Sequence, residues 1–468
     1  MPTLQVAISA AALQEIQADP EKQRILAACA DPVTGFREFL RHWWFLDQES
    51  KKAKQLGEDL WDGQKLVIEA MAEHRWIYEL KARKLGFTTL GVAFDAWVLR
   101  FRGPNERVHL FSRREDAANE LLAAVKYGLD RLPRWMKLPV AVSKANEIVL
   151  VGGEDDLRRA KAYPADEETA VEATCTHGHV DEWQRMRNPQ KVWQAIEPSM
   201  AGTCHIITTG LGPANFGSQF WVMTMNGDTD FHPLFVPATA RPGRSYDWVM
   251  AKRKSMPETD ARQEYPMSWE DALFAGADLP LAGEKLETCG ALGDGLRDAE
   301  DGHEYVKSWD VGRHQDAAVC VVLDFTHEPP DVVHYRRLRG YTYPQIQAEM
   351  EAVHPLYPGT TVIEDNNAGE AVRENLDLPD DEVYGYKTTG SSKPRLIKKL
   401  EVALANEDVG WVKDDVEQLH NELATYQIPD TNVVQDSVMA LGIGYDYWTN
   451  PNLKKKKRRK GRARVLRV

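Results

Sequence analysis

The sequence predicts a mixed α/β protein with two sheet-bearing domains, and three observations predict it. A chain of 468 residues has room for two or three domains. Up to about residue 220, short apolar runs alternate with helical stretches, the rhythm of a mainly parallel sheet. Residues 225–300 then turn rich in Gly, Pro and charge, as in NGDTD, RPGRS and LGDGLRDAEDGHE, and read as a connector with local helices; near residue 305 a second α/β rhythm begins. The division between the domains is expected within 255–303.

The elements follow in order. Residues 36–50, FREFLRHWWFLDQES, and 64–78, QKLVIEAMAEHRWIY, carry helical apolar spacing. WIYEL reads as a strand, TTLGVAFDAWVLRF as a helix, VHLFS as a strand and REDAANELLAAVKYGLDRL as a helix. EIVLVG and CHIITTG are strands, and HVDEW ends another, although CTHGH before it is polar for a buried strand. In the second half, YVKSWDVG and DAAVCVVLDF form a predicted hairpin, with DVVHYRRLRG as a third strand. YPQIQAEMEAVHPL is a helix, TVIEDN a strand and VVQDSVMALGIGYDYW a final helix.

Composition narrows the function classes. Apolar content of 43% is ordinary for a globular protein. There is no apolar run of about 18 residues, so no transmembrane span is expected. The N-terminus has no basic region ahead of its apolar part and reads as a weak amphipathic helix, not a signal peptide. Cys29, Cys175, Cys204, Cys289 and Cys320 form no C-x-x-C pair, which argues against a zinc ribbon or disulfide framework and fits a reducing cytoplasm. The net charge is −13, but the final PNLKKKKRRKGRARVLRV carries ten Lys and Arg; without it 48 basic residues face 71 acidic ones, a body at −23. Nucleic-acid contact must then come from local patches or from this tail, which reads either as a docking segment or as a solubilising end.

The stretch ELKARKLGFTTLG, residues 79–91, is shaped like a phosphate-binding loop. Against G-x-x-x-x-G-K-[ST], Gly86 and Thr88 are in place, Phe87 stands where the lysine belongs, and Lys81 stands where the first glycine belongs. Backbone N–H groups at the start of the following helix suit phosphate whatever the side chains are. HVDEW supplies the acidic partners: Asp181 to orient Mg²⁺ and Glu182 to activate water. His177, His179 and His205 lack a zinc-ligand spacing and read as structural.

Three acids stand out further on. Asp310 lies on the first strand of the second domain, Glu364 ends a later strand in VIEDNNAGEAV, and Asp436 starts the last helix. Their separations of 54 and 72 residues mean that only folding brings them together. Paired Mg²⁺ or Mn²⁺ ions for phosphodiester cleavage need such a carboxylate cluster, because cations offset the repulsion of converging like charges. Asp436 reads equally as a helix cap. Asp365 and Asp316 are nearby alternates.

Taken together, the motifs resemble the large terminase subunit of tailed bacteriophages, over about residues 55–450. KARKLGFT is similar to that family's loop with its lysine displaced to the start. The resemblance implies that Lys81 and Arg83 contact phosphates, that Thr88 holds Mg²⁺, and that Gln64 in LWDGQKLV reads adenine. VHLFSRREDAA resembles the motif after the second strand, IITTG the coupling motif with Thr208 and Thr209, and EYPMSWEDALF the segment after the ATPase core. The trans-acting arginine stays open among Arg131, Arg134, Arg158 and Arg159. IEDNNAGEAV and QDSVMALGIG resemble the family's nuclease acids, and Lys393 matches a basic position facing the DNA backbone or is a solvated loop lysine.

The resemblance implies an ASCE-type P-loop NTPase domain followed by a ribonuclease H-like nuclease domain. Expected bounds are a helical lead over 1–54, an ATPase domain over 55–255, a connector over 256–302, a nuclease domain over 303–450 and a basic tail over 451–468. It implies ATP and Mg²⁺ in the motor, and Mg²⁺ or Mn²⁺ at the nuclease acids. Expected partners are double-stranded DNA, the portal protein, the small terminase subunit and further copies in a ring on the portal, in the bacterial host's cytoplasm. The alternatives are a cellular helicase-nuclease, for which no second motor domain is visible between 225 and 300, and a decayed motor that keeps only its nuclease.

Overall fold

The computed structural model describes residues 10–47, 50–57, 60–164, 174–213, 215–311, 317–365, 368–390, 392–428 and 434–453. The chain packs as two units, one made of Met1–Thr224 with Thr229–Gly276, the other of Ala277–Val468 with the short segment Met225–Asp228.

A hairpin of β1 (Trp44–Asp47) and β2 (Lys52–Gln55) precedes the first large sheet. That sheet contains β3 (Trp76–Lys81), β4 (Arg107–Ser112), β5 (Val140–Lys144), β6 (Glu147–Gly153), β7 (Asp156–Pro164), β8 (Cys175–Asp181), β9 (Met200–Thr208) and β10 (His232–Val236). Its order is β10-β3-β9-β8-β4-β7-β6-β5. The strands from β10 to β7 pair in parallel, and β5 and β6 extend the sheet antiparallel. One strand, β9, thus separates the loop-bearing β3 from the acid-bearing β8, which is the ASCE arrangement. The C-terminal ends of β3, β8 and β9 lie side by side, where open parallel sheets collect their ligands.

The second unit carries β11 (Tyr305–Asp310), β12 (Ala318–Asp324), β13 (Asp331–Leu338), β14 (Gly359–Glu364) and β15 (Val383–Tyr386), in the order β13-β12-β11-β14-β15. The first three are antiparallel; β14 and β15 run parallel to β11. This is the ribonuclease H-like order. Every residue of β12 is buried, because both faces of the sheet are covered. Val438, Leu441 and Tyr445 of the helix Asp436–Thr449 pack with Val319, Val321 and Leu323. Ile346, Met350 and Val353 of the helix Tyr343–Val353 pack with Trp309, Cys320 and Val322. Gly444 brings the last helix close to β11, where an added Cβ would stand 2.9 Å from the Ser308 Cβ.

Several elements differ from the sequence reading. Over 36–50 the helix covers only Gly35–Leu40; Trp44–Asp47 is a strand. Phe36, Phe39, Leu40 and Trp43 do fall on one buried face, but beyond them Asp47 ties off a turn instead, accepting from the Ser50 N–H at 3.1 Å, with Lys51 left-handed at φ 57°. The helix expected over 64–78 ends at Glu73, and His74 is already extended. The stretch 225–300 contains β10, a strand of five residues interrupted by a proline and so short enough to pass for loop; it carries Pro233 at the sheet edge, where a missing N–H is tolerated. Local helices are present in that stretch, as expected: 258–264 and 269–274 belong to the first unit and 284–289 to the second.

Candidate active sites

The loop after β3 runs through Ala82–Leu85 into the helix Phe87–Trp97. Gly86 caps that helix at φ 81°, and nothing lies within 4 Å of where its Cβ would be. The approach to the helix N-terminus is therefore open. Lys84 also has a left-handed backbone, at φ 56°, a conformation that costs a non-glycine residue about 1 kcal/mol or more. Two arginines that the sequence reading missed hold it there. Arg244 donates to the carbonyls of Arg83 and Lys84 at 3.0 and 3.1 Å, and Arg241 to that of Lys84 at 2.7 Å. Cationic donors on backbone oxygens thus hold a left-handed turn at a residue that is not glycine.

Lys81 is the last residue of β3; its side chain is buried and its Nζ lies 4.0 Å from Glu182 Oε1. Thr88 Oγ1 donates to Asp181 Oδ1 at 3.1 Å, joining the loop helix to the end of β8. Burial raises the Asp181 carboxyl above its ordinary range, against the pull of His179, Lys81 and Thr88. Glu182 takes a left-handed backbone (φ 54°, ψ 40°), which turns the chain out of β8. Its Oε2 accepts from Thr209 Oγ1 at 3.2 Å and stands 3.2 Å from Arg185 Nε. Arg185 also reaches Thr209 at 2.9 Å and Glu264 at 3.2 Å, and Glu264 pairs with Arg83 at 2.8 Å. One chain of contacts therefore links the loop, the acidic pair and the end of β9.

These groups face a cleft of about 660 Å³. Lys81, Arg83, Gly86, Thr88 and Glu182 line its loop end, and Phe45, Leu46, Trp61 and Gln64 line another part. Trp61 stacks on Phe87 with ring centroids 5.4 Å apart. Gln64 Oε1 accepts from the Trp61 N–H at 3.4 Å, so this side chain also caps its helix. The signal for Trp61 and Phe45 was present as aromatic residues, but only the fold brings them to the loop.

The polar run CTHGHVD is a buried strand, and its histidines explain how. His179 Nδ1 lies 2.7 Å from Asp95 Oδ2 and His177 Nε2 3.1 Å from Asp95 Oδ1, with Asp95 fully buried on the loop helix. Burial alone would raise Asp95, but His179 and His177 outweigh it and hold the carboxyl low. His205, with no acid against it, is pushed well below the usual imidazole value by burial. Glu79, two residues before Lys81, is a buried carboxyl whose Oε1 has no hydrogen-bond partner; burial pushes it up to about 8.

In the second unit, Asp310 ends β11 and Glu364 ends the neighbouring parallel β14, so the register sets them side by side. Asp436 opens the helix that packs over β11 and β12. The fold thus brings together the three acids separated in sequence. Asp310 is held far above the usual carboxylate range, first by burial, then by Glu364 and Asp436; it hydrogen-bonds with Glu364. Thr388 Oγ1 donates to Glu364 Oε1. Among the described residues, no three acid, histidine or cysteine side chains already close around one point as a finished metal cage. The donor chemistry nevertheless fits hard divalent cations: carboxylate oxygens on converging acidic groups, with Glu364 and Asp436 raising the Asp310 carboxyl.

The remaining candidates sort plainly. Asp365, the residue after Glu364, is buried and tied to Arg373 at 2.9 Å; Asp316 lies outside the described residues. Lys393 sits in the first turn of the helix Ser392–Ala405. Arg158 is committed to Asp156 at 2.6 Å and to the Arg100 carbonyl at 2.7 Å, and Arg159 pairs with Glu147 at 2.9 Å. Arg131 lies over the Tyr127 ring at 3.5 Å, and Arg134 is exposed. The basic tail lies outside the described residues from 454 onward.

No family model and no curated relative matches the sequence. Solved structures that are similar to it include the large terminase of bacteriophage HK97, at TM-score 0.42 and 13% identity over 90% of this chain and 98% of that one. The ATPase domain of the Thermus phage P74-26 large terminase matches at TM-score 0.39 and 20% identity, over 45% of this chain and 93% of that domain. The large terminase nuclease of thermophilic phage G20c with bound magnesium matches at TM-score 0.31 and 20% identity, over 37% and 98%. With scores this low, the functional reading rests on the residues themselves.

Proposed function

We propose that this chain is the large subunit of a bacteriophage terminase, an ATP-fuelled motor that drives double-stranded DNA through a portal into a procapsid and carries a metal-dependent endonuclease that cuts concatemeric DNA. The observation that supports this most is the hydrogen bond from Thr88 to Asp181 beneath a cleft that also receives Lys81 and Glu182. A loop hydroxyl tied to a strand-end carboxylate is the arrangement that nucleoside-triphosphate hydrolysis needs.

In the motor, Lys81 offsets phosphate charge from the start of the loop, and Arg83 reaches the same end of the cleft. The N–H groups after Gly86 face the phosphates. Trp61 and Phe45 offer apolar surface to the base, with Gln64 beside them. Thr88 and Asp181 would hold Mg²⁺, which neutralises charge building on the phosphate oxygens. Glu182 orients and deprotonates the attacking water, and Thr209 and Arg185 hold its carboxylate in place until then. Thr208 and Thr209, at the end of β9, carry the change onward.

In the nuclease, Asp310, Glu364 and Asp436 would hold Mg²⁺ or Mn²⁺, which would supply a nucleophile at neutral pH and stabilise the leaving oxygen. DNA is gripped through phosphates, so its sequence matters little to the motor. The proposed partners are the portal protein, the small terminase subunit and further copies in a ring, and the proposed setting is the host cytoplasm. No helix among the described residues is long and apolar enough to cross a membrane.

The test is steady-state ATP hydrolysis with Mg²⁺ for the wild type, Lys81→Ala and Glu182→Ala. Turnover lost in both variants supports the displaced lysine. An unaffected Lys81→Ala would move the phosphate contact to Lys84 or Arg83. A wild type inactive even with DNA and portal present would leave the decayed-motor reading.

A further inference from the structure

Arg337 lies on β13 in the same cross-strand row as Asp310: Asp310 pairs with Val319, and Val319 with Arg337. Residues in one such row face the same side of a sheet. Here that is the side covered by the helix that Asp436 opens. Arg337 is buried, with 6% of its side chain exposed, and every arm of its guanidinium is used. Its Nε and Nη2 fork onto Asp228 at 3.0 and 2.7 Å. Its Nη1 reaches Glu422 Oε1 at 2.5 Å and Ser437 Oγ at 3.3 Å, and its Nη2 reaches Asp436 Oδ2 at 3.2 Å.

Glu422 completes the arrangement. Its Oε2 accepts the Ser437 N–H at 2.7 Å, and Asn226 donates to its Oε1 at 3.2 Å. The helix has no side-chain cap of its own, since Gln435 makes no capping bond. The first turn is capped instead by a carboxylate from the helix Glu417–Thr425. Both residues at the helix start, Asp436 and Ser437, are thereby bound to one rigid cluster. A guanidinium already satisfied by Asp228 and Glu422 does not need Asp436 for its own burial. The contact acts on Asp436.

We infer that Arg337, braced by Asp228 and Glu422, is the positioning residue that aims Asp436 at Asp310 and Glu364 for divalent-cation binding; this rests on the nuclease reading above. Arg337 is already paired with the Asp228 and Glu422 carboxyl groups when it reaches Asp436, which favours a positioning role over a blocking one. Partners behind metal ligands typically contribute about 10–100-fold in metal affinity.

The experiment is Mn²⁺ titration of the full chain without nucleotide, followed by electron paramagnetic resonance. The nuclease-site component is defined as the binding lost in Asp310→Asn. Arg337→Gln should weaken that component about 10–100-fold, and Asp228→Asn by less. In an Asp436→Asn background, Arg337→Gln should change Mn²⁺ affinity little further, because its effect passes through that carboxylate. A merely structural role would weaken binding equally in both backgrounds, and that additivity overturns the inference. So does unchanged or tighter binding in Arg337→Gln, which would make the arginine a bystander or a competitor. If Arg337→Gln does not fold, Arg337→Lys reads the same cycle, since it keeps the charge and loses the fork. A wild type with no Asp310-dependent component overturns the nuclease reading and the inference with it; binding that is present but insensitive to Arg337 overturns the inference alone.

Discussion

The two candidate sites solve opposite electrostatic problems. At the loop, opposite charges meet: Lys81 faces Glu182, Arg83 and Arg185 share Glu264, and two arginines hold the loop carbonyls. The site is organised in advance around a cleft of about 660 Å³. At the carboxylate trio, acidic groups meet: burial and the neighbouring Glu364 and Asp436 push the Asp310 carboxyl up, and one guanidinium lies against Asp436. The lesson is that a polyanionic substrate calls for a site built from paired cations and donors, whereas a cation site is built as a tension that the ion relieves.

The sharpest way to break this comparison is to disable each site alone. Lys81→Ala should lower ATP turnover about 100-fold or more and leave Mn²⁺-dependent DNA nicking intact; Asp310→Asn should do the reverse. Steady-state phosphate release and plasmid relaxation read the two. Loss of both activities in either variant would mean that the sites are not separable.

The pH dependence comes next. Glu79 has a folded pKa of about 8 against an ordinary 4.5. The native state therefore holds a proton that the unfolded chain has released. Its contribution is full below about 4.5 and is lost as pH rises to about 8, at about 1.4 kcal/mol per pH unit. Glu79→Gln should flatten that decline in denaturant melts taken from pH 5 to 8. Asp310 is raised in the same direction. In metal-free protein, Asp310→Asn should accordingly raise Tm at pH 8, while abolishing the Tm gain that Mn²⁺ gives the wild type.

Smaller effects sharpen the loop. Arg244→Ala removes two bonds that hold the left-handed turn, and each such bond to a charged donor is worth about 1.5–3 kcal/mol. KM for ATP should rise roughly tenfold, with kcat changed less, in a steady-state titration. Deleting 454–468 should leave ATP turnover without DNA unchanged and flatten the salt dependence of DNA binding, measured by fluorescence anisotropy. Unchanged binding would assign the tail to another partner or to solubility.

Much was legible in the sequence because periodicity and local chemistry carried it. The alternation of apolar runs and helical stretches announced a mainly parallel sheet, and the second α/β rhythm, opening on a hairpin, announced another sheet. Gly86 and Thr88 stood at the spacing of a phosphate loop, and three acids stood on a predicted strand, at the end of another and at a helix start. What stayed hidden was decided by long-range partners. WWFLD has helical spacing behind it, but Asp47 ties a turn and makes it a strand. CTHGH looked too polar to bury, yet Asp95, 84 residues from His179, takes its imidazoles. Arg241 and Arg244 repair the loop from more than 150 positions away, and nothing near them in sequence says so. Arg337 read as one more basic residue in HYRRLRG, and only the sheet register set it beside Asp436. The sequence by itself determined which chemistry the chain carries, because residue types and spacing are local. The tertiary structure alone decided which charges meet, because each pairing spans elements that no local pattern connects.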